Sequence, residues 1–345
     1  MQKLENNCYF HYIYIFFVYL CTMKISVLVP VYGVAKHIER CAISLFEQSY
    51  EDIEYIFVND CTPDNSIKIL ETVLQSYPNR RAQTTIIQHK QNKGLGAARK
   101  TALNASTGDF IMHVDSDDYI DTEAISHLVE CQEATQADIV TCAFNYFYED
   151  GKETTVHYKC YSKIKTLKLL LIQNTLLPHI WARLIRRSVY TANGIMPIEG
   201  INMAEDLAIT PRLIHSAHTI AYIDIPLYYY RINSSASTFS NRLVPKHIES
   251  YLKACNVLYV YFKEKDKKND FRIAFEIGML NAYWIAMKGN YDTIHIRQHC
   301  SYQPQGLIFK IILTIFAHKF MLSMLRLSYL SIKWLFKTYI KLSNL

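Results

Sequence analysis

Between Lys24 and Phe144 the chain repeats one pattern: a short apolar run, then a longer run with its apolar residues on one helical face. Lys24–Val31 (KISVLVPV) reads as a buried strand. Val34–Gln48 reads as an amphipathic helix with Val34, Ile38, Cys41, Ala42 and Leu45 on one face. Glu54–Asn59, Thr84–Gln88, Phe110–Val114 and Ala137–Phe144 read as further strands, and Asn65–Ser76, Leu95–Ser106 and Thr122–Gln136 as the helices between them. A βαβαβαβαβ succession predicts an α/β fold, a mostly parallel, Rossmann-like sheet with helices on both faces. Ligands of such sheets sit beyond the carboxyl ends of the strands.

Four segments fall at those ends: Pro30-Val31-Tyr32, Asp60, His89–Gly94 with Asn92 inside it, and Asp115-Ser116-Asp117-Asp118. Three carboxylates within four positions repel one another unless a cation lies among them. Asp115, Asp117 and Asp118 are therefore candidate ligands for Mg²⁺ or Mn²⁺ beside a nucleotide. Gly94-Leu95-Gly96-Ala97-Ala98-Arg99 begins like a dinucleotide fingerprint, but it follows the third strand and ends in Arg. It reads as a tight turn opening a helix, with Arg99 directed at phosphate or base. The first strand has no Gly-rich turn after it, which excludes a dinucleotide fold and disfavours a sugar-phosphate nucleotidyltransferase.

Composition matters most at the ends. Half of the 345 residues are hydrophobic and the formal charge is +6. After Asp292 there is no acidic residue, while Arg297, Lys310, Lys319, Arg326, Lys333, Lys337 and Lys341 are basic. On a helix the last five form a stripe beside a broad apolar face. Two readings follow: an interfacial helix on an anionic membrane surface, or a packing helix with solvated lysines. The segment is too apolar between its charges for nucleic-acid binding. Residues 1–22 contain CYFHYIYIFFVYLC, too short for a confident span, with no signal-peptide cleavage pattern. They read as an extension upstream of a natural start at Met23, or as a membrane-touching segment. Nine scattered cysteines without a CxxC pair fit free thiols in a reducing compartment. The expected location is cytoplasmic, peripheral on the inner face of the cell membrane. The expected organisation is an extension at 1–22, a nucleotide-binding domain at 23–240 and a helical, basic and apolar region at 241–345.

The series ISVLVPVYGVAKHIERCAISLFEQSYEDIEYIFVNDCTPDNS, NKGLGAARKTALNASTGDFIMHVDSDDYI and AEDL resembles glycosyltransferase family 2, with the GT-A fold, over Lys24–Ser237. WARLIRRSVY and IPLYYYRINSSAS are similar to segments of members that build bacterial surface polysaccharides. The resemblance implies an inverting, metal-dependent transfer from a nucleotide-diphosphate sugar, usually UDP-linked, to a hydroxyl of a glycan or lipid-linked glycan. Asp60 and the Pro30–Tyr32 edge would meet the nucleobase. Asp115 and Asp117 match the DxD pair, with Ser116, Asn92, Gly94 and Arg99 on the donor side. Asp206 matches the catalytic base, with Glu205 its nearest rival. By spacing alone, Asp206 could equally cap the helix that follows it. Trp181 and Arg183 fall on the acceptor side, although Trp181 could equally be core packing. Asn59, Cys61, Gly33 and Arg183 depart from the family's usual residues, and none of them is a carboxylate assigned to metal or base. The alternative outside the enzymes is a non-catalytic sugar-nucleotide-binding or scaffold protein.

Overall fold

The protein is described here from a computed structural model, which covers residues 23–148, 150–173, 176–232, 244–306 and 310. Strand β1 (Ile25–Val31) is buried along its whole length. It lies between β2 (Ile53–Asn59) and β4 (Phe110–His113), and β3 (Thr84–Gln88) flanks β2, all parallel. A strand covered on both faces needs apolar residues at nearly every position, which ISVLVPV supplies except at Ser26, whose hydroxyl donates to Glu54 Oε1. Its side chains alternate. Val27, Val29 and Val31 pack with helices α1 (Ile38–Phe46), α2 (Ser66–Gln75) and α5 (Ala124–Thr135), and Leu28 packs on the other face. Pro30 is tolerated because the pairing with β4 stops at Leu28–His113, leaving that side of β1 open toward the ligand end.

A short helix, α3 (Pro78–Arg81), precedes β3. Helix α4 (Leu95–Ala105) packs with Leu28 on that second face, and its Ala97, Ala98 and Ala102 are small enough to let it lie close to the sheet. Beyond β4 the order departs from the simple succession. The fifth predicted strand is β6 (Ile139–Tyr148), and it does not pair with β4. Strand β8 (Arg183–Arg186) inserts between them, antiparallel to both. Leu184 and Ile185 are fully buried. The strand is short and bounded by arginines, so periodicity alone does not reveal it. β9 (Ile220–Ile232) pairs in parallel with β6, and β5 (Tyr119–Ile120) and β7 (Glu153–Val156) complete a nine-stranded sheet in the order β3-β2-β1-β4-β8-β6-β9-β5, with β7 on β6.

Helix α6 (Lys163–Ile172) and the short α7 (Arg187–Thr191) connect these strands, and α8 (Glu205–Ser216) precedes β9. The C-terminal helices α9 (Pro245–Lys265), α10 (Arg272–Lys288) and α11 (Thr293–His299) share one apolar core with α6, α8 and the second face of the sheet. Ile139, Leu171, Leu213, Leu252 and Met279 belong to that core, so helices α9 to α11 pack with the sheet domain. Among the described residues no helix is long and apolar enough to cross a membrane. The expectations for residues 1–22 and for the basic stripe at Lys319, Arg326, Lys333, Lys337 and Lys341 lie outside the described residues, as does the end of the IPLYYYRINSSAS segment.

Candidate active site

At the carboxyl ends of β1, β2 and β4 lies a cleft of about 410 Å³, lined among others by Pro30, Val31, Tyr32, Asp60, Asn92 and Gly94, and by Asp115, Ser116 and Asp117. All but one of the donor-side residues expected from the sequence thus meet around one space; the exception is Arg99. Tyr32 is half exposed at the mouth, and Ser116 is buried.

Asp60 leaves β2 buried, and a single local turn holds it. Its Oδ1 accepts from Lys93 N at 2.8 Å and Oδ2 from Gly94 N at 2.7 Å. His89 Nδ1 lies 2.7 Å from Oδ1, and His89 Nε2 is 2.9 Å from Thr101 Oγ1. Two carboxylate oxygens offer about four acceptor directions and these contacts use three, so one remains for an N–H in the cleft. Asn59 has a local job: its Oδ1 accepts from Thr62 N at 2.8 Å, bracing the turn through Cys61, whose φ is 57°.

The Gly94-Leu95-Gly96 turn has a different reason from the one its pattern suggests. Gly94 has φ +88°, and a Cβ there would sit 2.2 Å from Asn202 Oδ1. A Cβ on Gly96 would sit 2.2 Å from the carbonyl oxygen of Ile198. The glycines admit the 198–202 loop against the start of α4, and through that loop Asn202 joins the cleft lining.

Arg99 does not reach toward a phosphate. It is 2% exposed and lies among three carboxylates. Nη1 donates to Glu205 Oε1 at 2.7 Å and Asp206 Oδ1 at 2.5 Å, and Nη2 donates to Asp115 Oδ1 at 2.7 Å. Its Nε is buried without a partner among the described residues. Burial opposes the charge on Arg99, but Asp206, Asp115 and Glu205 outweigh it and push its pKa up. One cation is shared by three acids, which repel one another. Burial raises the Glu205 pKa, and the charge of Asp206 adds to the effect. Burial raises Asp206 as well, against Arg99, which pulls it down. Asp206 is in the first turn of α8 and also accepts the Ile180 N–H. Its side chain makes no cap bond; the helix opens instead on Ala204 at φ 62°, a strained position for a residue with a Cβ. The loop before it is pinned from the C-terminal region. Asn202 N and Met203 N each donate to Ser250 Oγ at 3.0 Å, and Ser250 Oγ donates to Met203 O at 2.9 Å. Nothing in the sequence singles out Ser250.

One further expectation is corrected, and the two acceptor-side residues lie outside the donor-cleft lining. Asp118 turns inward, 2% exposed: Tyr228 donates its O–H to Oδ2 at 2.6 Å and Arg231 N donates to Oδ1 at 2.8 Å. It does not line the cleft, and the expected acidic trio is reduced to two. Trp181 is 5% exposed and stacks on His179 (3.8 Å), Tyr228 (4.6 Å) and Tyr230 (5.0 Å), so its faces are taken by protein rings. Arg183, also expected on the acceptor side, is buried in β8 beside Thr141 of β6 and lies outside the donor-cleft lining.

Among the described residues no group of three or more His, Cys, Asp or Glu side chains is arranged to hold a metal ion. Two carboxylates do face the cleft. Asp117 is raised in pKa by burial and by the charge of Asp115, so a cation beside it would relieve both effects. Asp115 commits Oδ1 to Arg99. Hard oxygen donors of this kind suit Mg²⁺ or Mn²⁺, and Mg²⁺ commonly takes one or two carboxylates and fills its shell with substrate phosphates. The residues present fit such an ion.

Sheet order, flanking helices and the cleft at the carboxyl ends define the GT-A fold. The structure superposes on Staphylococcus aureus TarS 1–349 with a TM-score of 0.58 at 22% identity, over 76% of this chain and 72% of that one. The profile described as Glycosyl transferase family 2 matches residues 26–193. The putative glycosyltransferase EpsH of Bacillus subtilis is 30% identical over 258 residues, 73% of this chain and 72% of that protein. The uncharacterized glycosyltransferase EpsJ of the same organism is 34% identical over 221 residues, 62% of each. A poly(ribitol-phosphate) beta-glucosyltransferase of Bacillus spizizenii is 28% identical over 278 residues, 80% of this chain but 42% of that protein. The matches to EpsJ and to the Bacillus spizizenii protein span less than two thirds of those relatives. The chain belongs to glycosyltransferase family 2.

Proposed function

We propose that this chain moves a sugar from a nucleotide-diphosphate donor, UDP-linked, to a hydroxyl of a growing glycan, with inversion and with Asp206 as general base. The observation that carries the proposal is the Arg99 clamp, which ties Asp115 of the donor cleft to Glu205 and Asp206 within a single side chain's reach. TarS, which shares the fold, has been solved with UDP and with UDP-GlcNAc.

In this reading Tyr32 and the edge of β1 flank the nucleobase, and the unused acceptor direction of Asp60 takes an N–H from it. Asp117 and the second oxygen of Asp115 would hold Mg²⁺ or Mn²⁺, which stabilises the charge developing on the departing diphosphate. A diphosphate leaves without a protein acid, whereas the acceptor hydroxyl must lose a proton as it attacks from the opposite face. Asp206 takes that proton. Arg99 and the Ile180 N–H fix its orientation, and burial raises its pKa toward the working pH, where a base is most effective. Glu205, on the same Arg99 nitrogen, tunes the charge beside it.

Asp206→Asn should lose transfer by on the order of 10²–10⁴-fold while keeping UDP affinity. Asp117→Ala should weaken both. Normal transfer by Asp206→Asn would remove it as the base. The acceptor is read as a glycan or a lipid-linked glycan, with the basic residues beyond Gly306 holding the enzyme to the anionic inner face of the membrane. Flotation should then require anionic vesicles and fail at high salt; equal recovery on neutral vesicles would oppose this.

A further inference from the structure

A second buried cation serves no carboxylate. Arg183, at the start of β8, is 4% exposed. Its Nε donates to His179 O at 3.0 Å and its Nη1 to Thr141 Oγ1 at 2.7 Å. Nη2 makes no hydrogen bond to a described residue, and no Asp or Glu among the described residues forms an ion pair with Arg183. Asp206 acts on it through space only, being bonded already to Arg99. A buried ion without a partner is costly to keep, so an unmet charge at such a place needs an account.

Arg183 lines a cavity of about 50 Å³ that shares no lining residue with the donor cleft. No acidic side chain lines it, while Lys159 stands exposed at its mouth. Thr141 Oγ1 accepts from Arg183 and keeps its own O–H to donate inward. The Tyr161 and Thr166 side chains add further hydroxyls to the wall. At roughly 10–15 Å³ for each water, the space takes a few waters or one tetrahedral oxyanion. A guanidinium with an unused N–H, an ammonium at the rim and a free hydroxyl form a donor set matched to phosphate oxygens. Ile185 packs in the same core as α8, and by strand alternation Arg183 faces that layer too. An anion held by Arg183 therefore lies on the side of the sheet that carries Asp206.

We propose that this cavity is a binding site for a single phosphate-type oxyanion, separate from the donor cleft. Two sources share that chemistry: a phosphate ester within the acceptor chain, and free inorganic phosphate. Binding itself does not depend on the proposed transfer reaction; only assignment of the phosphate to the acceptor rests on that reading.

The test is titration calorimetry of the full chain with inorganic phosphate at constant ionic strength, with UDP saturating the donor cleft. The wild type should bind phosphate saturably, Lys159→Ala at least three-fold more weakly, and Arg183→Gln not measurably. Lys159 is exposed, so its variant carries the test even if Arg183→Gln fails to fold, and its UDP affinity should stay within two-fold of wild type. Absence of saturable binding under saturating UDP would overturn the proposal, as would Lys159→Ala binding as tightly as wild type. Competition by a soluble glycerol-phosphodiester oligomer would assign the site to an acceptor phosphate; binding of phosphate without that competition would assign it to the free ion.

Discussion

The two halves of the sheet hold their acids in different ways. In the parallel half, Asp60 at the end of β2 is gripped by one turn, Lys93–Gly94, and by His89, all within 34 residues of it. In the mixed half, Asp206 depends on Arg99, 107 residues away, and on a loop braced by Ser250 of α9. The first arrangement is local and repeats a motif. The second forms only when β8, α8 and the C-terminal helices have all packed. The setting of Asp60 is therefore a property of a segment, and the setting of Asp206 is a property of the whole fold.

That contrast is sharpest at Arg99. Arg99→Met leaves three part-buried carboxylates facing one another, and removing one partner of a buried ion pair typically costs about 3–5 kcal/mol. Its thermal unfolding midpoint should fall steeply. The sign of the pH effect follows from the raised Glu205 and Asp206. With the cation gone these acids bind protons more readily folded than unfolded, so the variant should regain stability as pH falls toward 5. A variant as stable as wild type at pH 8 would mean that the clamp is not what joins the two halves.

The same contrast explains what could be read from the sequence. Strands β1 to β4 were legible because each is a short apolar run between helices of the right period, and Asp60, Asp115 and Asp117 fall at their ends. β8 was not, because four residues bounded by arginines carry no period and its partners come from distant segments. Arg99 was singled out for the right position and the wrong partner: the sequence shows a cation at the start of a helix, and three remote acids decide where it points. Asp118 failed for a related reason, and of the two readings of Trp181 the core one holds. Residue type suggests a sugar platform and a metal ligand, while the rings of β9 and the Tyr228 hydroxyl claim both for the interior.

A smaller loss is expected at Glu54, which ties β2 to the 107–109 turn before β4. Burial would raise its pKa, but Lys24, Ser26 and Thr107 overcome that and hold it at about 2. A carboxylate lowered on folding stabilises at pH values above its unfolded pKa near 4.3, and that contribution disappears as pH falls through about 2. Glu54→Gln should lose about 2–3 kcal/mol at pH 7, measured by urea unfolding, and should flatten the acid limb of the stability curve between pH 5 and 2. An unchanged acid limb would place the linkage elsewhere.

The smallest effect belongs to Ser250→Ala. It removes one hydroxyl that serves two backbone N–H groups and one carbonyl, a loss of about 1–3 kcal/mol if those groups stay dry. Because the loop it braces carries Asn202 into the cleft and leads to Glu205, the variant should lose transfer more than UDP affinity. Equal loss of both would make Ser250 a support of the fold alone.

The most direct test of the shared cleft is a crystal structure of the protein with UDP and Mn²⁺. The nucleobase should lie against Tyr32 and Asp60, with the diphosphate beside Asp117 and with Asp206 facing the open end where an acceptor would enter. UDP seated anywhere that leaves Asp60 and Asp117 untouched would contradict the account.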